Sequence, residues 1–521
     1  GVGEAPREIC PPGVPRPARN EQARMPMESS PLGEEVVLKN GLRVFLLHTD
    51  LFEDEIVLRA RRWGGLSEFQ SNNPFSKGTI STEAQVCSMV AMMLGICGLS
   101  MESLQECLDG KRLEPNPPGL EAYTTGFDAS SSPVDFETLL LLLHLLFCCP
   151  IEPGAKSRGR LSLVKLSLLA WRLGENRDPQ AQFQRRLQRV VTQDHPFARA
   201  PSLWSILRLN FKRASMIFTD CVSKPCEWTF VMVGRLAPKE TLMPLLEKYL
   251  GSIPNLVPDM VQIERRGELA MREALTPLSV TFPSKPVKED VKLHMIDPKG
   301  TTVLVFPIQL NAVTQPGALE TAEAELRELF HLRLLIRLLE TRLIEVLRFK
   351  RGQVYSVSVA DDMALSTPQL GKARKGTLSV GFECDPIEAD ELVTVTRAEL
   401  DQLRDGSVTF TDANIDAALA QERREFEELT QKNDWWANTV LDLYFSRCHA
   451  VTDDIGNTLA LWWRVRSEVV AGFTANVASE ALQATLPFGV ASAVVTMRPR
   501  SRTKVDSKTS KGSPTPNAAE G

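Results

Sequence analysis

Arg348 and Tyr355 stand seven positions apart in the stretch Leu347–Val359, which reads Leu-Arg-Phe-Lys-Arg-Gly-Gln-Val-Tyr-Ser-Val-Ser-Val. The pattern is that of a long amphipathic helix closing, a turn at Gly352, and a strand in which Tyr355, Val357 and Val359 share one face. A cation and a phenol are thereby brought to one helix-to-strand corner. The same residues also have an ordinary structural use. An arginine in the last helical turn complements the helix dipole, and a tyrosine at the start of a strand packs.

The usual catalytic constellations are missing. The six histidines, at 48, 144, 195, 294, 331 and 449, are isolated, with no His-x-x-Glu-His or His-Glu-x-x-His pair among them. No Gly-x-Ser-x-Gly elbow, Walker loop or dinucleotide fingerprint occurs. The ten cysteines include no Cys-x-x-Cys, and none pairs with histidine at zinc-finger spacing. Cys148 and Cys149 follow His144, but all three lie in the apolar run Leu139–Cys149, where burial is the expected use. On its own residues the chain is expected to hold no metal and no self-sufficient active site. Cysteine usage favours a reducing compartment over a disulfide framework.

The 521 residues are 43% hydrophobic and 24% charged, with a formal charge of −5. That is a soluble globular composition, with no basic excess for nucleic acid. The run Leu139–Cys149 is far short of the ~20 apolar residues of a membrane helix. The sequence opens on Gly1, as a processed or partial chain would. Residues 1–33, rich in proline and without an apolar core, read as a disordered linker, and 501–521 as a disordered tail. The compartment, organellar or cytoplasmic, is not encoded.

Between these ends the elements come in two sets. Val36–Leu38 and Leu42–Leu47 flank Asn40-Gly41, a strong hairpin signal. Strands are expected over Glu55–Ala60, Gly119–Phe127 and Trp228–Gly234. Helices are expected from Thr82 (with a Thr82/Gln85 capping box) to Gly98, from Ser132 to Cys149, from the Asp178 cap and Pro179 to Val191, and over Pro238–Leu250. After a linker at 257–286 the pattern restarts with strands at Val291–His294 and Thr302–Phe306. A helix over Gly317–Phe349 carries the stripe Leu332, Leu335, Leu339, Leu343 and Val346. Then come a strand at Thr377–Glu383, helices Pro386–Leu403 and Asp412–Leu429, an irregular helical region and a strand at Val490–Met497. Gly126-Phe127-Asp128 recurs as Gly381-Phe382-Glu383, an offset of 255 that also carries Val36 to Val291. The fold expected is α+β: two homologous units, 34–256 and 287–500, each a sheet with helices packed on it.

Several phrases resemble the pitrilysin/insulinase family of zinc metallopeptidases. They are Lys39–Val44, Thr229–Gly234, Lys248–Gly251, Arg348–Tyr355 and Asn433–Trp436. The likeness covers about residues 35–498 and is to the C-terminal, non-zinc half of the two-half enzymes, in a clam-shell architecture. It implies a zinc ion bound by an N-terminal half, in the same polypeptide or a separate chain, and a peptide substrate enclosed between the halves. It further implies that Arg348 and Tyr355 reach the scissile carbonyl and stabilise the oxyanion formed there. The helix from Glu83 to Cys97 lies where a catalytic unit would carry its zinc motif. It reads Ala-Gln-Val-Cys-Ser-Met-Val-Ala over 84–91, with neither ligands nor base. Two readings follow: half of a zinc endopeptidase, active only with its partner half, or a non-catalytic relative serving as a scaffold or peptide-binding subunit.

Overall fold

The computed structural model describes residues 33–69, 80–95, 101–148, 158–175, 177–196, 199–254, 282–295, 300–349, 354–363, 368–486 and 492–500. The expectations for 1–32, most of the 257–286 linker, Cys149, Gly352 and the 501–521 tail lie outside them. Strands β1 (Glu34–Val37), β2 (Arg43–His48), β3 (Ile56–Trp63), β4 (Leu113–Pro115), β5 (Gly119–Leu120), β6 (Thr124–Ser131) and β7 (Trp228–Gly234) form one sheet. Its order is β1-β2-β7-β3-β6-β4, with β5 also on β6. Strands β8 (Val287–Leu293), β9 (Gly300–Gln309), β10 (Val354–Asp362), β11 (Lys375–Cys384) and β12 (Ala493–Pro499) form a second, ordered β10-β11-β9-β12-β8.

The two sheets repeat one connectivity. In the first, β2 runs parallel to β7, β7 antiparallel to β3, and β3 antiparallel to β6. In the second, β8 runs parallel to β12, β12 antiparallel to β9, and β9 antiparallel to β11. Phe127 on β6 and Phe382 on β11 hold matching places, as the 255-residue offset requires.

Helices of the first set are α1 (Thr82–Leu94), α2 (Met101–Leu108), α3 (Phe136–Cys148), α4 (Arg158–Glu175), α5 (Pro179–Val191), α6 (Leu203–Leu207), α7 (Phe211–Val222) and α8 (Lys239–Tyr249). The second set comprises α9 (Leu319–Leu343), α10 (Ala389–Asp405), α11 (Asp412–Thr430), α12 (Asn433–Tyr444), α13 (His449–Thr452), α14 (Ile455–Gly472) and α15 (Ala475–Thr485). Among the described residues no helix is long and apolar enough to cross a membrane. Local signals explain many of the boundaries. Gly41 takes φ 84° in the hairpin, and the Asp178 carboxylate caps α5 at the Gln180 N–H. Thr82 does not cap α1: Ser81 occupies the N-cap and turns its hydroxyl to Glu83 instead. The region after Trp436 is not irregular but continues as α12 to α15. Helix α4 had no clear sequence signal, because it leaves Leu163, Leu166, Trp171 and Leu173 exposed and so lacks a clean apolar stripe.

Four consecutive residues of β2, Val44 to Leu47, are buried, and all of β7 is. Side chains of a strand point alternately to the two faces, so such runs require cover on both. Val44 and Leu46 meet α1, α3, α7 and α8 of the same set. Phe45, Leu47, Val57, Val231 and Val233 belong instead to the core built by the second set, where α12 crosses β3 and β7. The exchange is reciprocal. Phe183, Leu187 and Val191 of α5 cover Val303, Val305, Val495 and Met497 on the second sheet. The helices are themselves repeat mates, since Asp178 and Asn433, at their N-termini, are 255 apart. Polar bonds fix the seam. Asn433, fully buried, accepts from the Thr49 hydroxyl (2.6 Å) and donates to Glu55 (2.9 Å). Arg59 binds Asp434 (2.5 Å) and Arg61 binds Asp442 (2.6 Å).

Phe183→Ala should cost about 3–5 kcal/mol, the usual price of truncating a buried phenylalanine, and should loosen the second sheet. Chemical denaturation, with exchange protection followed at β12, checks it. His331 and His195 are pushed below the ordinary histidine range, first by burial and then by Arg327 and Arg199 respectively. The unfolded chain therefore takes up protons more readily. This contribution to stability is full above the unfolded value near 6.5 and is lost as pH falls through it. His331→Gln should flatten the decline in unfolding free energy between about pH 7 and pH 5; an unchanged slope in urea titrations refutes this.

Candidate functional site

The corner carrying Arg348 and Tyr355 is built by two local irregularities. The expected stripe of α9 is buried throughout: Leu332, Leu335, Leu339, Leu343 and, beyond the helix, Val346. After Leu343 the backbone widens into a π-helical turn over Ile344–Phe349. In that turn Val346 and Leu347 remain buried while Arg348 is exposed. Arg342 anchors the approach, donating to Glu399 on α10 (2.6 Å) and pairing with Glu345 (3.5 Å).

On the strand side, Val354 pairs with Cys384 and Ser356 with Glu383, which leaves Tyr355 as the additional residue of a β-bulge. The expectation that Tyr355 shares a face with Val357 and Val359 therefore needs correction. Val359 is buried and Val357 half-buried, whereas Tyr355 is 63% exposed. A bulge interrupts the two-residue alternation and re-aims the side chain. The π-helical turn packs on β10, with Leu347 and Val354 forming its apolar underside. The corner thus presents a guanidinium and a phenol to solvent from a backbone held down by a packed core. Neither irregularity leaves a sequence signature, because both arise from how the turn and strand seat on that core.

Helix α1 has the character its sequence suggests. Ala84, Val86, Cys87, Val90 and Ala91 are buried against α4 and α7, and burial pushes the Cys87 thiol up to about 12. The Gln85 amide donates to the Arg199 carbonyl (3.1 Å), and Ser88 donates to that of Pro118. His144 is held 2.7 Å from the Tyr249 carbonyl oxygen. Cys148 lies 3.6 Å from His144, with its thiol raised by burial. Among the described residues no group of three His, Cys, Asp or Glu side chains could hold a metal ion.

A concavity of about 940 Å³ opens where the two sets meet. Its walls include Trp63, Tyr123, Phe330, Trp435, Phe445 and Trp462, with the Arg61–Asp442 pair at its side. Asp361, at the far end of β10 from Tyr355, also lines it. A strand rises about 3.3 Å per residue, so concavity and corner are roughly 20 Å apart along β10. Sequence reading missed this surface because its aromatic residues come from β3, the β5–β6 loop, α9, α12 with the residue that caps it, and α14.

Residues 225–422, a stretch containing both Arg348 and Tyr355, match the family described as the peptidase M16 inactive domain. Over 472 residues the chain is 28% identical to a zinc protease PQQL-like protein of Arabidopsis thaliana, covering 90% of this chain and 43% of that protein. The chain is thus similar to M16 (pitrilysin/insulinase) peptidases, and its stretch 225–422 to their inactive domain. Among solved M16-type folds, the periplasmic protease PqqL from Escherichia coli superposes with a TM-score of 0.67 at 15% identity, over 95% of this chain and 49% of its own. A protease from Helicobacter pylori gives 0.65 at 15% identity, over 90% of this chain and 100% of its own. The chain therefore spans about half the length of these PqqL-like relatives. Its sheets and helices have the clam-shell architecture of that fold.

Purified alone, the chain should carry well under one zinc per molecule by elemental analysis. Stoichiometric zinc surviving dialysis against a weak chelator would contradict the assignment of α1 as a metal-free helix.

Proposed function

We propose that this chain is the non-zinc half of a two-half zinc endopeptidase, with Arg348 and Tyr355 assisting hydrolysis at a site whose metal and base belong to an N-terminal half. The boundaries that go with this reading are 34–256 and 287–500 for its two units. One observation carries it above the others. A π-helical turn exposes Arg348 and a β-bulge exposes Tyr355, and both residues fall within the stretch that matches the family. Bulges and π-turns cost backbone regularity and recur next to active sites.

The chemistry asked of the pair is limited. When zinc is bound in the partner half, it supplies Lewis-acid activation of the peptide bond. Arg348 contributes a fixed positive charge and Tyr355 a hydroxyl donor to the oxygen that gains charge at the scissile carbonyl. Donors fixed before the reaction begins stabilise that charge without reorganising. The aromatic concavity, 20 Å away along β10 by the spacing above, would hold apolar side chains of an extended peptide.

The second reading, a scaffold or peptide-binding subunit without catalytic duty, is favoured by α1, whose residues include no His-x-x-Glu-His motif, and by the matched domain's description as inactive. The two separate kinetically. In the complex with a zinc-bearing half, Tyr355→Phe should lower kcat by on the order of 10²–10³, with KM changing far less. Arg348→Ala should act in the same direction. Unchanged kcat in both variants, with peptide affinity intact, assigns the chain to the scaffold reading.

A further inference from the structure

The outer edge of β8 is a second place where the chain can hold a peptide. In the first sheet the equivalent strand, β2, has its outer edge covered by β1, with Val36 opposite Val44. No described strand pairs with that edge of β8. The direction of its polar groups follows from bonds made on the opposite side. The Val287 N–H donates to the Ser492 carbonyl, and the Arg500 N–H donates to the Leu293 carbonyl. Main-chain groups alternate in direction along a strand, so the odd-numbered residues serve β12. Lys288, Asp290 and Lys292 direct their N–H and C=O groups outward.

A groove of about 580 Å³ runs beside this edge, and its wall is cationic. Arg185, Arg186 and Arg189 come from α5, Arg172 from the end of α4, Arg199 from the loop before α6, and Lys292 from β8 itself. Among the described residues the carboxylates nearby are fewer than these cations. Arg189 and Arg199 share Asp194 (2.6 and 2.8 Å), Arg186 takes Glu289, and Arg172 takes Glu175 (3.0 Å). Asp290 is drawn away to Arg498 (2.8 Å). Arg185 donates to the carbonyls of Ala181 and Glu175. Its guanidinium is held below the usual arginine range by burial and by Arg172 beside it. The covered edge in the first sheet indicates what suits such a place. There β1 reads Glu-Glu-Val-Val and brings Glu34 to Lys239 and Glu35 to Arg43.

We propose that the β8 edge binds an extended acidic peptide segment by strand addition, its main chain pairing with Lys288, Asp290 and Lys292 and its carboxylates meeting Arg185 and Arg189. Main-chain pairing supplies affinity, and the arginines select acidic side chains. The site is complete within this chain and does not depend on the peptidase reading or on a zinc-bearing partner.

The test uses the full chain and a fluorescein-labelled peptide of four Glu-Val repeats, with binding followed by anisotropy. Wild type should bind in a salt-sensitive manner. Arg185→Glu should weaken binding by about tenfold or more, the effect of losing one charge-assisted contact. Because Arg185 also steadies the α4–α5 junction, Lys292→Pro is the second variant: it removes an outward N–H while leaving the β12 ladder intact. It too should reduce affinity, with circular dichroism unchanged. The same peptide N-methylated at alternate residues keeps every charge and should no longer bind. Equal binding of the methylated peptide overturns strand addition. Binding of inorganic tripolyphosphate with none of the peptide would make the groove a small-anion site and overturn the proposal as well.

Discussion

The structure depends on sheets that are buried on both faces. A strand such as β7, with every residue buried, cannot survive with one face wet, and the helices of its own set cover only one. The missing layer comes from the other set: α12 lies on the first sheet and α5 on the second. Each sheet is therefore incomplete without a helix donated by its repeat mate, which makes the two units one cooperative body. The polar seam sharpens this. Asn433, Thr49 and Glu55 are bonded in a region where an unpaired group would carry its full desolvation cost, so the crossing of α12 has one register.

That rigidity bears on the Arg348–Tyr355 corner. The π-helical turn and the β-bulge are departures from regular backbone, and such departures persist only where surrounding packing over-determines them. Here the packing is Leu347, Val354 and the α9 stripe beneath, with Arg342 tied to Glu399 at the side. The guanidinium and the phenol face solvent on either side of that packing. This is the property required of groups that act on something outside the chain.

Duplication leaves the two sheets alike in connectivity and different at their rims. The repeats share strand connectivity, and β6 and β11 keep the offset of 255, but β8 is the counterpart of β2, so Val291 does not match Val36 on β1 as expected, and the borders of the two sheets differ. The first sheet closes its edge with β1 and fills α1 with apolar side chains, while in the second no described strand covers β8, a cationic groove lies beside it, and the irregular corner stands at the other edge. Chemistry-bearing features have gathered at the rims of the second sheet, where the conserved connectivity leaves room for variation.

Much of this was legible in the residues. Asn40-Gly41 placed the first hairpin, Asp178-Pro179 the start of α5, the leucine stripe the long helix α9, and Phe127 with Phe382 the repeat. These are local or periodic signals, carried by turn chemistry, capping and alternation. The absence of histidine pairs in α1 was equally plain. Tertiary structure alone decided the rest. It exchanged α5 and α12, gave α4 a place despite its exposed leucines, displaced Tyr355 from the face it seemed to share with Val359, and gathered arginines from α4, α5 and the loop before α6 around one edge. Each of those outcomes depends on contacts between residues far apart in the chain, whose energies no local pattern of residue types encodes.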